Sequence, residues 1–484
     1  MDPIKHVVLL MLENHSFDEM LGCFQRNYPD LDGIDPEAAP RSNPGPDGKP
    51  IAQARKAAYC MPLDPKHEHR NVAKQIADGN TGFVKDFASA YPSSTVKDHS
   101  LLMGYYEEGF LPALHALAND FTICDQWFSS LPGPTWPNRF FALSGTSSGR
   151  VLMPEGAAQP NLDSIKDQTQ DTIFDRLHEK GKSWKIYYYD FPSSLIFANQ
   201  RKPDNLSHYF DINQFFNKDA PGDESAFPDF AFIEPKYFGI DQNDDHPPHN
   251  IIKAEKLVAD VYNAIRSNSA LWNNTLLVVV FDEHGGFYDH VVPPAAIPPD
   301  NKQYEYDFKQ YGVRVPALLV SPWVERGVDH TPYDHTSLLK YLIDKWELGP
   351  LGARTANANS IQNAIKRTTA RDQDYTVAFI RVPFGQMVKD DGAGAEPTTS
   401  SGQEALHVLA AYLERELNDG QSIILGNALT LTAKAARLWV DSKSWLAEKI
   451  LLPLGNALID SQRKAQSDKV SRTVSVAENL IHPK

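Results

Sequence analysis

Residues 7–14 read VVLLMLEN, and the fold follows from where the apolar run stops. Val7 to Leu12 carries no polar alternation, the composition of a parallel strand covered on both faces. Glu13 and Asn14 then set two oxygen-bearing side chains at its carboxyl end, where open α/β sheets bind their ligands. A second run, TLLVVVF from Thr275 to Phe281, ends the same way, in Asp282-Glu283. If the two strands are neighbours, three carboxylates and an amide meet at one spot. Like charges that close together in a low-dielectric crevice repel unless a cation joins them, so the two tips predict a metal site. Either pair alone reads better as a helix cap or a solvated turn than as a ligand pair; their occurrence in one chain favours the metal.

Outward from these strands, β-like runs at Ser183 to Tyr189, Asp229 to Ile233 and Val315 to Val320 alternate with helical stretches at Asp171 to Lys180 and Ile251 to Asn268. The second helix carries an apolar face through Leu257, Val261 and Ile265. The alternation predicts an α/β fold with a mostly parallel, doubly wound sheet and helices on both faces. Pro29 to Pro65, rich in Pro, Gly and Asp, reads as an excursion on the ligand side. The expected division is an α/β domain over 1–389, a Gly/Ser/Thr/Pro-rich linker over 390–402 and a helical region over 403–484. Helices are expected in that region at Glu404 to Leu417, Ile423 to Val440 and Ser444 to Gln462. Its Trp439, Trp445, Leu446, Ile450 and Leu451, set among lysines, also suit an interfacial helix, so peripheral membrane contact is one reading and a packed helical cap the other.

The 484-residue chain is long enough for a large core, and 42% hydrophobic with 23% charged residues is ordinary for a globular protein. A formal charge of −15 argues against nucleic acid as a partner, because that binding rests on neutralising phosphates. The charge is uneven: 9 Lys/Arg against 5 Asp/Glu from Gln421 to Lys484 leave that segment at 9 − 5 = +4. Cys23, Cys60 and Cys124 have no metal or disulfide spacing and read as small apolar residues or free thiols. No run reaches the roughly 18 apolar residues of a membrane span. MDPIKHVV lacks the pattern of a secretory leader, so the expected location is cytoplasmic, although export without a cleaved signal would leave the same sequence.

The chemistry-bearing segments lie in loops. Thr135 sits in SSLPGPTWPNR, followed at once by Asn138 and Arg139. A hydroxyl is a weak nucleophile at neutral pH and needs a metal or base to lose its proton. Placed on the metal as a further ligand, Thr135 suits in-line attack on phosphorus, with Asn138 donating to a phosphoryl oxygen and Arg139 supplying charge or bracing the loop. Proton donors for a leaving alkoxide are offered by His67, His246 and His249, in DPKH and DHPPH. His290, in DEHGGFYDHV, is expected either to give a proton or to orient a metal ligand. The all-oxygen set Glu13, Asn14, Asp282 and Glu283 favours Mg²⁺, Mn²⁺ or Ca²⁺, with Zn²⁺ admissible.

Five segments, ENHSFDEMLG (13–22), CDQWFSSLPGPTWPNR (124–139), DDHPPHN (244–250), FDEHGGFYDHVVPP (281–294) and GVRVPALLVSPWV (312–324), occur in the order found in a known family. Together they resemble the phosphoesterase family of bacterial phospholipases C, plant non-specific phospholipases C and related acid phosphatases, within the alkaline phosphatase superfamily. The resemblance spans residue 5 to about 345 and implies metal ligands at Glu13, Asn14, Asp282 and Glu283, with the Thr135 hydroxyl as nucleophile. It also puts His67 and the DHPPHN segment near the phosphate. The expected activity is a metal-dependent phosphoric ester hydrolase working through a phospho-threonine, first of all a phospholipase C, otherwise an acid phosphatase or phosphodiesterase on soluble esters. A lipid-surface binding protein without activity is the rival from another class, motivated by the apolar, basic tail. The oligomeric state is not legible.

Overall fold

The computed structural model describes residues 2–56, 58–154, 168–238, 241–372, 376–383, 400–416, 422–425 and 429–432. The central sheet contains β1 (His6–Leu12), β2 (Thr122–Cys124), β3 (Trp184–Tyr188), β4 (Tyr209–Asp211), β5 (Phe230–Ile233), β6 (Thr275–Phe281), β7 (Ala317–Val320) and β8 (Gly327–Asp329). Their order is β8-β2-β7-β6-β1-β5-β3-β4. Only β7 runs against the rest, pairing antiparallel with both β6 and β2. The mostly parallel α/β sheet expected from the sequence is present. The short strands β2, β4 and β8 were not foreseen; three residues are too few to show a period.

β1 and β6 are buried along their whole length, which is why neither shows polar alternation. They lie side by side in the centre of the sheet, and their register pairs His6 with Thr275 and Leu12 with Phe281. The last paired residues therefore deliver Glu13 and Asp282 to the same edge. β5 flanks β1 on the other side and adds a third tip.

Helices cover the sheet. The helix α1 (Thr135–Ser144) ends at Gly145, whose φ of 76° makes the left-handed cap that glycine tolerates best. The helix α2 (Ile173–Glu179) starts at a capping box of Thr172 and Asp175. In α3 (Ile251–Ser267), Leu257, Val261 and Ile265 are buried as the periodicity requires, and Asn250 caps the first turn. The helix α4 (His335–Trp346) follows β8.

The excursion from Pro29 to Pro65 is more than a surface flap. It carries Lys56 into the interior, where the ammonium pairs with buried Glu19 and lies over the Phe287 and Tyr106 rings.

Near the C-terminus, α5 (Ser401–Glu416) packs on the α/β body through Ala405, Leu406, Val408, Leu409, Tyr412 and Leu413. The helix expected over Ile423 to Val440 is corrected in its first part: Ser422–Leu425 and Leu429–Thr432 pair as antiparallel strands. The segment reads SIILGNALTLT, and Gly-Asn between apolar and β-branched runs is a hairpin signal. The helix expected at Ser444 to Gln462, with its Trp and Leu residues, lies outside the described residues, as do 390–399 of the expected linker. Cys23, Cys60 and Cys124 are not disulfide-bonded. Among the described residues, no helix is long and apolar enough to cross a membrane.

Candidate active site

The backbone beyond the two strand tips is cross-linked. Asp282 N–H donates to Leu12 O, His15 N–H to Glu283 O, and Asn14 N–H to Asp282 Oδ1. Asn14 adopts φ 65°, a left-handed conformation that asparagine enters more readily than most side chains. Gly285 answers it: a Cβ there would stand 2.2 Å from Asn14 O, so only glycine lets the two tips close. Glu13, Asn14, Asp282 and Glu283 are all buried.

Thr135 meets these residues from the first turn of α1. Its Oγ1 lies 3.4 Å from Asn14 Oδ1, and the side chain is fully buried. Pro134 precedes it and Pro137 occupies the first turn, where a missing N–H costs little. A helix N-terminus at this point favours negative charge, whether carboxylate or phosphoryl.

Arg139, one turn further along α1, points back at the tips. Its Nε donates to Asp282 Oδ2 at 2.9 Å, Nη2 lies 3.2 Å from Glu13 Oε1, and Nη1 donates to the Tyr237 hydroxyl at 2.9 Å. The guanidinium thus spends its charge on two carboxylates. Asn138 is turned the other way. Its Nδ2 donates to the carbonyls of Leu131, Gly133 and Pro134 and its Oδ1 accepts from Leu131 N–H. The expectation that Asn138 binds a phosphoryl oxygen is corrected: its donors are used in holding the loop that presents Thr135.

The Arg139 charge alone does not balance three buried carboxylates. Burial, reinforced by Asp282, Asp244 and Glu283 and only partly offset by Arg139, pushes Glu13 well above the usual carboxylate range. Asp282 is pushed to about 6 by burial and by Glu283, against the pull of Arg139. Burial would also raise Glu283, but the His67 charge and a hydrogen bond from His284 outweigh it and hold that carboxyl low. Glu13 Oε2 and Glu283 Oε1 are buried with no hydrogen-bond partner. Such atoms are costly unless something else satisfies them. Glu13, Asn14, Asp282 and Glu283 offer only oxygen donors, the chemistry a hard divalent cation takes, and next to them Asp64, His67 and His246 lie close enough to one another to hold an ion.

His67 stands next to the oxygen-donor set, with Nε2 3.5 Å from Asn14 Nδ2 and 3.9 Å from Glu283 Oε1. Its Nδ1 donates to Pro65 O. Burial disfavours its charge, yet Glu283, Asp64 and Glu68 overcome that and raise it to about 9. The His246 ring is 5.6 Å from that of His67, and the His249 ring 6.2 Å from that of His246. His246 is held by Nδ1 on Pro247 O, its buried Nε2 has no partner, and burial lowers its basicity. His249 Nδ1 bonds Asp244 Oδ1 at 2.6 Å, and the Asp244 carbonyl accepts from Glu13 N–H.

His290 does not join them. Its Nδ1 bonds Asp18 and its Nε2 bonds Asp32, both at 2.9 Å, within a cluster completed by Asp289 and Arg314. It touches no residue of the oxygen-donor set, so the expected roles of proton donor or ligand-orienting group are corrected to bracing. Asp18, Asp289 and His290 lie close enough to hold an ion, but the buried Arg314 guanidinium already supplies the cation.

Three contributors were missed. Asp244 precedes the DHPPH run, yet nothing local marks it as the partner of His249. His335 Nε2 holds the Asp282 carbonyl at 2.7 Å, and burial keeps that ring neutral at about 4. Tyr237, in EPKYFG, carries no sequence signal.

A family model, Phosphoesterase family, matches residues 4–349. The chain belongs to that family. As a family member it is a hydrolase acting on phosphoester bonds. Non-specific phospholipase C3 of Arabidopsis thaliana is 35% identical over 419 residues, covering 79% of this chain and 77% of that protein. Non-specific phospholipase C4 of the same plant is 32% identical over 460 residues, covering 87% and 82%. Phospholipase C B of Mycobacterium tuberculosis is 28% identical over 396 residues, covering 70% and 72%. Among solved structures, an alkaline phosphatase superfamily protein from Vibrio parahaemolyticus overlaps 54% of this chain and 65% of its own, with a TM-score of 0.30 at 13% identity.

Proposed function

We propose that this phosphoesterase is a phospholipase C that releases the phosphorylated headgroup of a phospholipid through a phospho-threonine at Thr135. The convergence of Thr135 Oγ1 on Asn14, beside the unpaired oxygens of Glu13 and Glu283, carries this reading. Glu13, Asn14, Asp282 and Glu283 would hold a divalent cation, Mg²⁺, Mn²⁺ or Ca²⁺ by the hardness of the donors, with Zn²⁺ admissible. When bound, that cation supplies charge that favours ionisation of the threonine hydroxyl and neutralises phosphoryl oxygens.

The chain's own groups do the rest. Thr135 Oγ1 forms the bond to phosphorus while the bond from phosphorus to the glycerol oxygen breaks. The N-terminus of α1 and the charged His67 favour the negative charge on the nonbridging oxygens. A histidine gives its proton to the departing oxygen, and the Asp244 contact favours His249, since a carboxylate on Nδ1 fixes the tautomer and steadies the ring. Water then cleaves the phospho-threonine and restores the hydroxyl.

Elemental analysis of the purified protein, joined to a panel of phosphomonoesters, phosphodiesters and phospholipids, tests the reading. Phosphocholine released from phosphatidylcholine supports it. Inorganic phosphate released from soluble monoesters, with no headgroup release, would replace it with an acid phosphatase. A protein that neither binds a divalent ion nor loses activity with a chelator would refute the metal.

A further inference from the structure

We infer that Tyr237 is a positioning residue of the active site, acting through Arg139, and that α5 fixes Tyr237 from outside the segment matched by the family model. The inference rests on the metal reading above.

Tyr237 follows β5, the third strand tip at this edge of the sheet, and is buried. Its hydroxyl accepts from Arg139 Nη1 at 2.9 Å and donates to Glu234 Oε2 at 3.2 Å. Glu234 is itself held by the N–H and hydroxyl groups of Ser193 and Ser194. The Tyr237 backbone is clamped at both ends: its N–H donates to Asp190 Oδ2 at 3.0 Å, and its carbonyl accepts from Gln403 Nε2 at 2.6 Å. Gln403 lies in the first turn of α5, beyond residue 349 where the family match stops.

The consequence for the donor set is geometric. A guanidinium is a rigid planar fork, so fixing Nη1 fixes the directions of Nε and Nη2. Those two atoms hold one oxygen each of Asp282 and Glu13, and Glu13 thereby keeps Oε2 unpaired. A carboxylate in place of the phenol would compete with Glu13 and Asp282 for the single charge of Arg139. The neutral hydroxyl satisfies Nη1 without that competition, and it keeps Glu234 one bond further away. Loss of the phenol oxygen should let Arg139 swing toward Glu234, freeing Glu13 and Asp282 to turn.

The test is calorimetric titration of full-length metal-stripped protein with Mn²⁺, comparing wild type, Tyr237→Phe and Gln403→Ala. Residues that orient metal ligands typically cost about 10–100-fold in affinity when altered, and that loss is expected for Tyr237→Phe. Gln403→Ala should weaken binding in the same direction by less. At saturating Mn²⁺, Tyr237→Phe should recover most of its kcat, because Thr135 and the histidines are untouched. A merely structural role would instead lower the folded fraction without changing the affinity of what is folded. Wild-type uptake of Mn²⁺ with unchanged affinity in Tyr237→Phe would overturn the inference while leaving the metal reading intact. No uptake by the wild type would sink both. If Tyr237→Phe fails to fold, Gln403→Ala decides: wild-type affinity there removes α5 and its clamp from the site.

Discussion

The backbone N–H of Asn14 donates to Asp282 Oδ1 at 3.3 Å, although 268 positions separate the two residues in the chain. This contact joins the tips of two parallel central strands and lies at the heart of the oxygen-donor set. Asp282 also anchors Arg139, so on the proposed metal reading one side chain serves both the cation and the brace. Asp282→Asn should therefore lose metal affinity and activity together, by more than the roughly 10–100-fold expected when only an outer partner of a ligand is changed. Mn²⁺ titration and initial rates measured on the same preparation check it, and a rate loss with intact affinity would count against Asp282 as a ligand.

Thr135→Ala should abolish turnover and leave the fold in place. The hydroxyl makes one long hydrogen bond, so its removal should cost no more than about 1 kcal/mol of stability. Acid-quenched wild-type protein digested and examined by mass spectrometry should carry phosphate on the peptide containing Thr135. Substantial activity in the alanine variant would mean that water attacks phosphorus directly.

His249→Gln should slow hydrolysis of esters with a poor, alkoxide-like leaving group by about 10²–10⁴-fold, the range typical of a lost general acid. With a nitrophenyl ester, whose leaving group needs no proton, the loss should largely vanish. Equal losses on both substrates would show that the ring binds or supports rather than protonates.

The cluster around His290 predicts a pH dependence of stability. Burial lowers the basicity of His290, but Asp18, by charge and hydrogen bond, and then Asp32 outweigh it and raise the ring from 6.5 to about 9. A group bound more tightly by its proton in the folded state stabilises fully below about 6.5, and that contribution fades as pH rises through 9. The Tm advantage of wild type over His290→Gln should accordingly shrink between pH 6.5 and 9.5, with Arg314 and Asp289 the other charged groups packed against the ring. A constant advantage across that window would show the ring to be neutral. Toward acid the opposite sign applies: Asp32, held to about 2 chiefly by the His290 hydrogen bond, loses its contribution only as pH falls below about 4.

What the sequence by itself determined were features whose cause is local. Unbroken apolar runs mark fully buried strands, so β1 and β6, their burial and the four oxygen donors after them were legible from residues 7–14 and 275–283. α3 was legible because Leu257, Val261 and Ile265 recur at the helical period. By contrast, Thr135, read as a loop residue, lies in the first turn of α1. The antiparallel strand pair Ser422–Leu425 and Leu429–Thr432 was misread because its alternation is short and helix-compatible residues flank it.

Only the tertiary structure decided how the site's polar groups are shared out. Asn138 and His290 have side chains suited to catalysis, and no local pattern shows that their hydrogen-bonding capacity is consumed by the Leu131–Pro134 carbonyls and by Asp18 and Asp32. Tyr237, His335 and Asp244 gain their importance from neighbours far along the chain. Hydrogen bonds and charges act through space at a few ångströms, whereas a sequence records order along the backbone, so burial and strand type can be read from it but the partner of a buried polar atom cannot.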